Sequence, residues 1–519
     1  MKSHQPSTFS LPLVALLLAA PALATTERPA NVSGPAVVSL PANDHPTVSL
    51  ALQFHAGAVD DPPGKAGLTY LTARLMAEGG TEALTARQLL ETLFPMAANL
   101  RARVDKEQTT FFVTVHRDHV ARIVGILGDV VAHPRFDAAE FARLREAAVN
   151  DVDKRLRQGD DENLGKEALG ELMFRGHPYG RLTLGHAGEL RTLTLDDVKR
   201  QAARVFTRDR LTIGVAGGYG PDAIDRLRAA VASLPATGAP PVEVTAATPQ
   251  RPRVRLVEKE TASTAISIGV PWSLTRRSPD FAAWLVARSA FGEHRQMNGR
   301  LMQRLREARG LNYGDYAYIE HFQQEGGDAA SAQTGRARKQ GEFTIWLRPV
   351  QNENALFAAR AALYELQRSV SDEPFSAEEV ETTKGFLDGY VLLYAQTDAR
   401  KLGYALDERA LDGASDGKYL AELRAAVARV TAADVNRVWA KLKPLLPQLE
   451  IVLVSPGAVE LKKAMVTNAP SPMHYQKDAE GRVPKKPDAL IAADKVIEKL
   501  PFGVGEADVE IIPVAKLFE

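Results

Sequence analysis

Two stretches of this chain end alike. "TLTLDDVKRQAARVFTRDRLTIGVAGG" closes one block and "RVTAADVNRVWAKLKPLLPQLEIVLVSPG" closes another. Each reads as a capped helix, then a β-rich strand, then glycine, and Asp197-Val198 of the first answers Asp434-Val435 of the second. Each block also opens on a strand, "TVSLALQFHAGA" or "TAISIGVPWS", and continues into helical sequence. The economical reading is a tandem duplication of an α+β unit, helices packed on one face of a mainly antiparallel sheet.

Two Pro-rich stretches without apolar period divide the chain. They predict a first domain over 25–234, a linker over 235–253, a second domain over 254–466 and a tail over 467–519. In the tail, "DALIAADKVIEKLPF" reads as a helix and "VEIIPVAKLF" as a possible added strand. In the first block, "EQTTFFVTVHRDHVARIVGILGDVVAHPRFD" reads as strand, turn and amphipathic helix, and "AAEFARLREAAVNDVDKRLRQ" as a long helix.

The chain begins with one Lys, an apolar run from Leu11 to Ala20, and small residues at Ala22-Leu23-Ala24. That is the layout of a secretory signal peptide over 1–24, cut before Thr25. No later stretch is apolar over the ~18 residues a membrane span needs. Cysteine is absent from all 519 residues, which removes thiol catalysis and Cys-ligated metal. Export without cysteine, in a chain rich in Ala and Arg, points to a bacterial periplasm; the Asn31-Val32-Ser33 sequon would matter only in a eukaryotic host. Lys plus Arg and Asp plus Glu both number 64, so no net field favours nucleic acid.

Three segments carry a family resemblance. "GHPYGRLTLGHAGELRTLTLDDVK" resembles the His-Pro-Tyr-Gly turn and following helix of insulinase/pitrilysin-type zinc metallopeptidases. "NGRLMQRLREARGLNYGDYAYIE", within residues 298–320, resembles the substrate-contacting segment of their second half. "GLTYLTARLMAEGGT", residues 67–81, falls after a Gly-rich turn where those enzymes carry their zinc helix. The chain is most similar to the two-block members, such as processing peptidases and bacterial paired-subunit relatives.

That family uses H-x-x-E-H, two His ligands one helical turn apart with a Glu general base between them, and a third carboxylate from a later helix. Laid on this pattern, Tyr70 and Arg74 take the His positions, Ala73 takes the Glu, and Asp151 falls near the third ligand. A neutral Tyr is a poor zinc ligand, an Arg repels the cation, and an Ala accepts no proton. Leu68, Leu71, Leu75 and Met76 form one side of this short helix, opposite Tyr70, Thr72, Ala73 and Arg74.

Other candidates are weaker. His116 and His119 straddle a strand end and a helix start, where Asp118 fits an N-cap, and read as surface or turn residues. His177 reads as ordering its own turn. Glu293-His294 lacks a preceding His, since Ala290 stands there.

Arg306 and Tyr313 stand seven apart, as the resemblance implies for the family's Arg/Tyr substrate pair. By that analogy Tyr313 donates to the scissile carbonyl oxygen and Arg306 holds a neighbouring carbonyl. Leu301, Met302 and Leu305 face inward and Gly310 is a C-cap. The resemblance therefore implies a subunit without cofactor, catalytic only beside a zinc-bearing insulinase-family subunit in a heterodimer, with a peptide as substrate. The competing expectation is a non-catalytic peptide-binding, chaperone-like or scaffold protein of the same fold.

Overall fold

The strand "TVSLALQF" is buried from Val48 to Phe54 without a break, rather than on alternate residues. Its sheet must therefore be covered on both faces. The computed structural model describes residues 34–251, 253–294, 296–322 and 335–519. The signal-peptide segment, its cleavage site and the Asn31 sequon lie outside the described residues.

The first sheet holds β1 (Ala36–Ser39), β2 (Thr47–Phe54), β3 (Arg101–Val104), β4 (Thr109–His116) and β5 (Leu211–Gly217), in the order β1-β5-β2-β4-β3. The second holds β6 (Val254–Glu258), β7 (Thr264–Trp272) and β8 (Gly314–Tyr318) with three later strands. β9 (His321–Phe322) and β10 (Gly335–Arg336) form a separate ladder, and the later strands are β11 (Gly341–Val350), β12 (Glu450–Ser455) and β13 (Val509–Pro513). The second order is β13-β6-β12-β7-β11-β8. Without β13, it repeats the first strand for strand: β1 is parallel to β5 as β6 is to β12, and every other pair is antiparallel. The duplication read from the two block ends is a duplication of sheet topology.

The same capping box closes both repeats. Thr194 and Asp197 satisfy each other's backbone N–H at the start of Leu195–Val205, and Thr431 with Asp434 does so at Ala432–Trp439. The tail helix forms over Asp488–Ile497, and β13 adds to the second sheet parallel to β6. The tail thus packs on its own chain, and Leu517 and Phe518 are buried in the core of the first half.

The helices of the first half that bear on the site are α1 (Leu68–Glu78), α2 (Ala86–Leu93), α3 (Val120–Ala132), α4 (Ala138–Asn150) and α5 (Asp161–Met173). α5 crosses to the second sheet and packs on β7 and β12, burying Leu164 and Ala168 with Ala265, Val452 and Val454. In return the helix Asp398–Asp412 crosses to the first sheet, where Leu402, Ala405 and Leu406 meet Val38, Ala51 and Ala216. Each half thus lends one helix to the face of the other's sheet that its own helices leave bare. Backbone comes close at these contacts: a Cβ on Gly214 would lie 3.1 Å from Leu406 and one on Gly165 3.2 Å from Ser267.

Candidate functional site

α1 is wedged between two apolar clusters. Leu68, Leu71 and Leu75 enter one, while Ala73, Met76 and Ala77 enter the other against the first sheet. The polar opposite side expected from the sequence is a mistaken division: Thr72 is fully buried and donates to the Leu68 carbonyl oxygen at 2.7 Å, and Ala73 is fully buried. Both sheet and helix layer claim this helix, so only Tyr70, Arg74 and Glu78 keep some exposure.

Gly67 starts α1 at φ +87°, and a Cβ there would lie 2.7 Å from Gly185 Cα. Gly185 is itself at φ +96°, so the segment after the His-Pro-Tyr-Gly turn and the start of α1 touch backbone to backbone. Asp61 caps the helix from six residues upstream, accepting from Gly67 N–H at 2.8 Å, Thr69 N–H at 2.7 Å and the Thr69 hydroxyl at 2.6 Å. Periodicity alone could not show this cap, because it comes from outside the helix. The Asp60-Asp61 pair before "PPGK" was its only trace.

Tyr70, Arg74 and Asp151 do converge. The Arg74 guanidinium lies 3.2 Å from Asp151, 3.0 Å from Glu78 and 3.4 Å from the Tyr70 hydroxyl. Burial works against the Arg74 charge, but Tyr70, Glu78 and Asp151 outweigh it and hold its pKa above the ordinary value. Burial pushes the Tyr70 phenol up as well, so it stays protonated at neutral pH. A guanidinium stands between the residues that zinc would require as ligands, and the Glu position is an apolar Ala in the core. This donor set does not fit zinc. Among the described residues, no three His, Asp or Glu side chains are grouped to hold a metal ion. Asp151 begins a π-helical turn, Asp151–Leu156, in which Arg157 N–H reaches the Val152 carbonyl at 2.9 Å.

The second expected element is assembled. Leu301, Met302 and Leu305 are buried, Gly310 ends the helix at φ +67°, and Tyr313 enters the sheet through its N–H to the Arg348 carbonyl at 3.2 Å. Residues Met302–Glu307 also make a π-helical turn. Four arginines lie on this segment and three are tied down: Arg300 to Glu379, Arg304 to Glu365 and Glu373, and Arg309 to Asp494 of the tail helix. Arg306 differs. Its carboxylate neighbour is the adjacent Glu307 at 3.7 Å, and its guanidinium stacks 4.5 Å from the centre of the Tyr313 ring. Tyr313 is 69% exposed, so the pair presents a cation and a phenol together at the surface.

Two of the remaining histidines have structural employment. His116 caps its turn by accepting the Asp118 N–H at 3.4 Å, the reverse of the cap expected from Asp118. His177 accepts the Tyr179 N–H at 3.1 Å, as expected, and its other nitrogen meets the Thr245 carbonyl at 2.9 Å. Tyr179 has a role the turn motif did not reveal. Its hydroxyl donates to Glu107, and Gln340 N–H reaches it at 3.4 Å. Beside it Lys339 N–H donates to Glu107 at 2.9 Å and Arg338 pairs with Asp105. The His-Pro-Tyr-Gly turn therefore forms part of the seam between the halves.

Two sheets of one topology, each covered by helices on both faces, make a tandem α+β fold. The chain belongs to the insulinase family, peptidase family M16. The model of that family matches residues 36–187, and the model of the M16 inactive domain matches residues 192–387. An uncharacterized zinc protease of Mycobacterium bovis is 25% identical over 289 residues, covering 54% of this chain and 64% of that protein. The match thus spans under two thirds of that relative's length. A mitochondrial-processing peptidase subunit beta of Lentinula edodes is 27% identical over 209 residues, 38% of this chain and 43% of that one. Among solved structures, a peptidase M16 inactive domain from Pseudomonas fluorescens shares the fold with a TM-score of 0.70 at 20% identity, over 82% of this chain and 96% of that one. No helix among the described residues is long and apolar enough to cross a membrane.

Proposed function

We propose that this chain is the metal-free subunit of a paired insulinase-family zinc peptidase. It binds an extended peptide through Arg306 and Tyr313 and completes the active site of an H-x-x-E-H partner, which holds the zinc. The periplasmic location expected from the N-terminal segment belongs to the same proposal. The observation that carries it is a contrast between two sites in one fold. At the metal position Arg74 is ion-paired with Asp151 and the base position is Ala73. At the substrate position Arg306, alone of the segment's four arginines, pairs with no distant carboxylate among the described residues, and it lies beside an exposed phenol. Loss of one function with retention of the other suits a chain that works on a peptide held jointly with a second subunit.

The test is co-expression with an exported H-x-x-E-H chain, followed by zinc quantification and peptide cleavage. Cleavage by the mixture alone, reduced on the order of 10²-fold by Tyr313→Phe, is the expected result. Stoichiometric zinc on this chain, or cleavage by it alone, would overturn the proposal. Peptide binding that persists with every zinc-bearing partner inactive would favour the scaffold role.

A further inference from the structure

The second half holds a cavity that neither the Arg/Tyr pair nor the degenerate metal site uses. It lies between β8 and the helices Phe281–Gly292, Ala377–Tyr394, Asp398–Asp412 and Tyr419–Arg429, and measures about 60 Å³. That is room for a few water-sized groups rather than for a folded peptide.

Its walls are aromatic, and two buried polar atoms in them have no hydrogen-bond partner among the described residues. Tyr394, Tyr404 and Tyr419 run as a ladder down one wall, their ring centres 5.9 Å and 6.1 Å apart in sequence, and Tyr318 stands in the wall of β8. Two guanidiniums reach the cavity and both are matched. Arg276 is bound by both oxygens of Glu320 and by Asp407 at 2.9 Å, and Arg288 is bound by Glu293. Glu293 Oε1 takes Arg288 and the His294 N–H. Glu293 Oε2 is buried and has no hydrogen-bond partner among the described residues, in a residue only 3% exposed. The Tyr419 hydroxyl is likewise buried without one among the described residues.

An unmet carboxylate oxygen asks for a donor, and unmet burial of a charged acceptor costs more than that of a neutral one. Aromatic faces around it favour a donor that carries positive charge. Together they select an ammonium or guanidinium group on a short aliphatic stem, the stem lying along the tyrosine rings. We infer that this cavity binds such an aliphatic cation, donated to Glu293 Oε2 and walled by Tyr394, Tyr404 and Tyr419. The same chemistry is offered by a lysine or arginine side chain of a peptide and by a free amine. The inference does not depend on the paired-peptidase proposal, since binding here needs neither a partner subunit nor cleavage.

The test uses the whole chain alone and n-pentylammonium as probe, followed by calorimetry or ligand-observed NMR, with 1-pentanol as the neutral isostere. Saturable binding of the ammonium, at least tenfold tighter than the alcohol, is expected. Glu293→Gln should weaken it tenfold or more. Because that change also leaves Arg288 with a poorer partner, Tyr394→Leu serves as the second variant. It leaves the ion pair intact, and should weaken the ammonium several-fold with the thermal midpoint preserved. A capped lysine tripeptide with its norleucine counterpart, and cadaverine, then distinguish the source: lysine-selective peptide binding assigns a peptide side chain, and cadaverine binding without peptide binding assigns a free amine. Equal affinity for ammonium and alcohol, an unchanged affinity in a folded Tyr394→Leu, or no saturation at millimolar ammonium would each overturn the inference.

Discussion

Arg74 reaches across from α1 to Asp151 at the start of the π-helical turn, guanidinium to carboxylate, at 3.2 Å. The pair joins two helices at positions that the family resemblance gives to metal ligands. With side chains 20% and 27% exposed, it is screened only in part, so the attraction exceeds that of a surface pair while staying modest. Removing either partner is expected to cost on the order of 1 kcal/mol, and a double-mutant cycle over Arg74→Ala and Asp151→Ala should return a coupling of similar size. A coupling indistinguishable from zero in urea titrations would show that the two helices are held by their apolar contacts alone.

Gly67 and Gly185 meet backbone to backbone, each in the left-handed region. Gly67→Ala must find room for a Cβ 2.7 Å from Gly185 Cα and also adopt a φ that costs an L-residue about 1–2 kcal/mol. Both Gly67→Ala and Gly185→Ala should lower stability by more than about 2 kcal/mol, seen as a drop in thermal midpoint.

Asp315 is fully buried next to the Arg/Tyr pair, with Asn312 as its one side-chain donor and Oδ2 unpaired among the described residues. Burial pushes its carboxyl up to about 7, against the pull of Asn312 and Arg306. A carboxyl raised in the folded state contributes stability that is present below its unfolded pKa of 3.8 and is lost as pH rises to about 7. Asp315→Asn removes that slope. Relative to the parent, the variant should gain on the order of 3 kcal/mol more at pH 8 than at pH 5, read from paired denaturation curves. Parallel pH profiles for the two proteins would contradict the burial of this charge.

Arg210 and Asp60 form an ion pair at 2.9 Å with side chains 1% and 3% exposed, under the turn that leads to α1. Asp60→Ala strands the guanidinium in the core and is expected to cost about 3–5 kcal/mol. Replacing both with apolar residues of similar volume should cost much less. Equal losses in the single and double variants would locate the effect in the turn geometry instead, since Asp60 also accepts the Gly57 N–H at 3.0 Å.

The crossed helices yield a last expectation. Leu406 on Asp398–Asp412 is buried against the first sheet beside Gly214. Leu406→Ala should cost about 2–5 kcal/mol and raise protease sensitivity in the 235–253 segment, since the halves would hold each other less firmly.

Much of this protein was legible in the order of its residues. The duplication showed in "TLTLDDVK" and "RVTAADVN" because a capping box is a local device, made between residues three apart. Strand cores, the inward face of the Arg306 helix and the Gly310 cap are local in the same sense. So was the chemical poverty of the metal position, because Tyr70, Ala73 and Arg74 lack the needed groups in any fold.

Other features had no local signal. Asp61 caps a helix six residues away, and Asp494 of the tail anchors Arg309 from 185 residues away. The exchange of helices between sheets left only unbroken burial in β2 and β7, which a one-sided sheet would not show. The order of residues determined that this chain repeats one α+β unit, and the family resemblance implied which side chains stand at the metal and substrate positions. Tertiary packing alone decided that Arg74 pairs with Asp151, that Arg306 lies against Tyr313, and that Glu293 lines a tyrosine-walled cavity. Apart from Arg306 and Tyr313, these are meetings between segments far apart in the chain, and the energies of all of them depend on burial and distance, which exist only once the chain has folded.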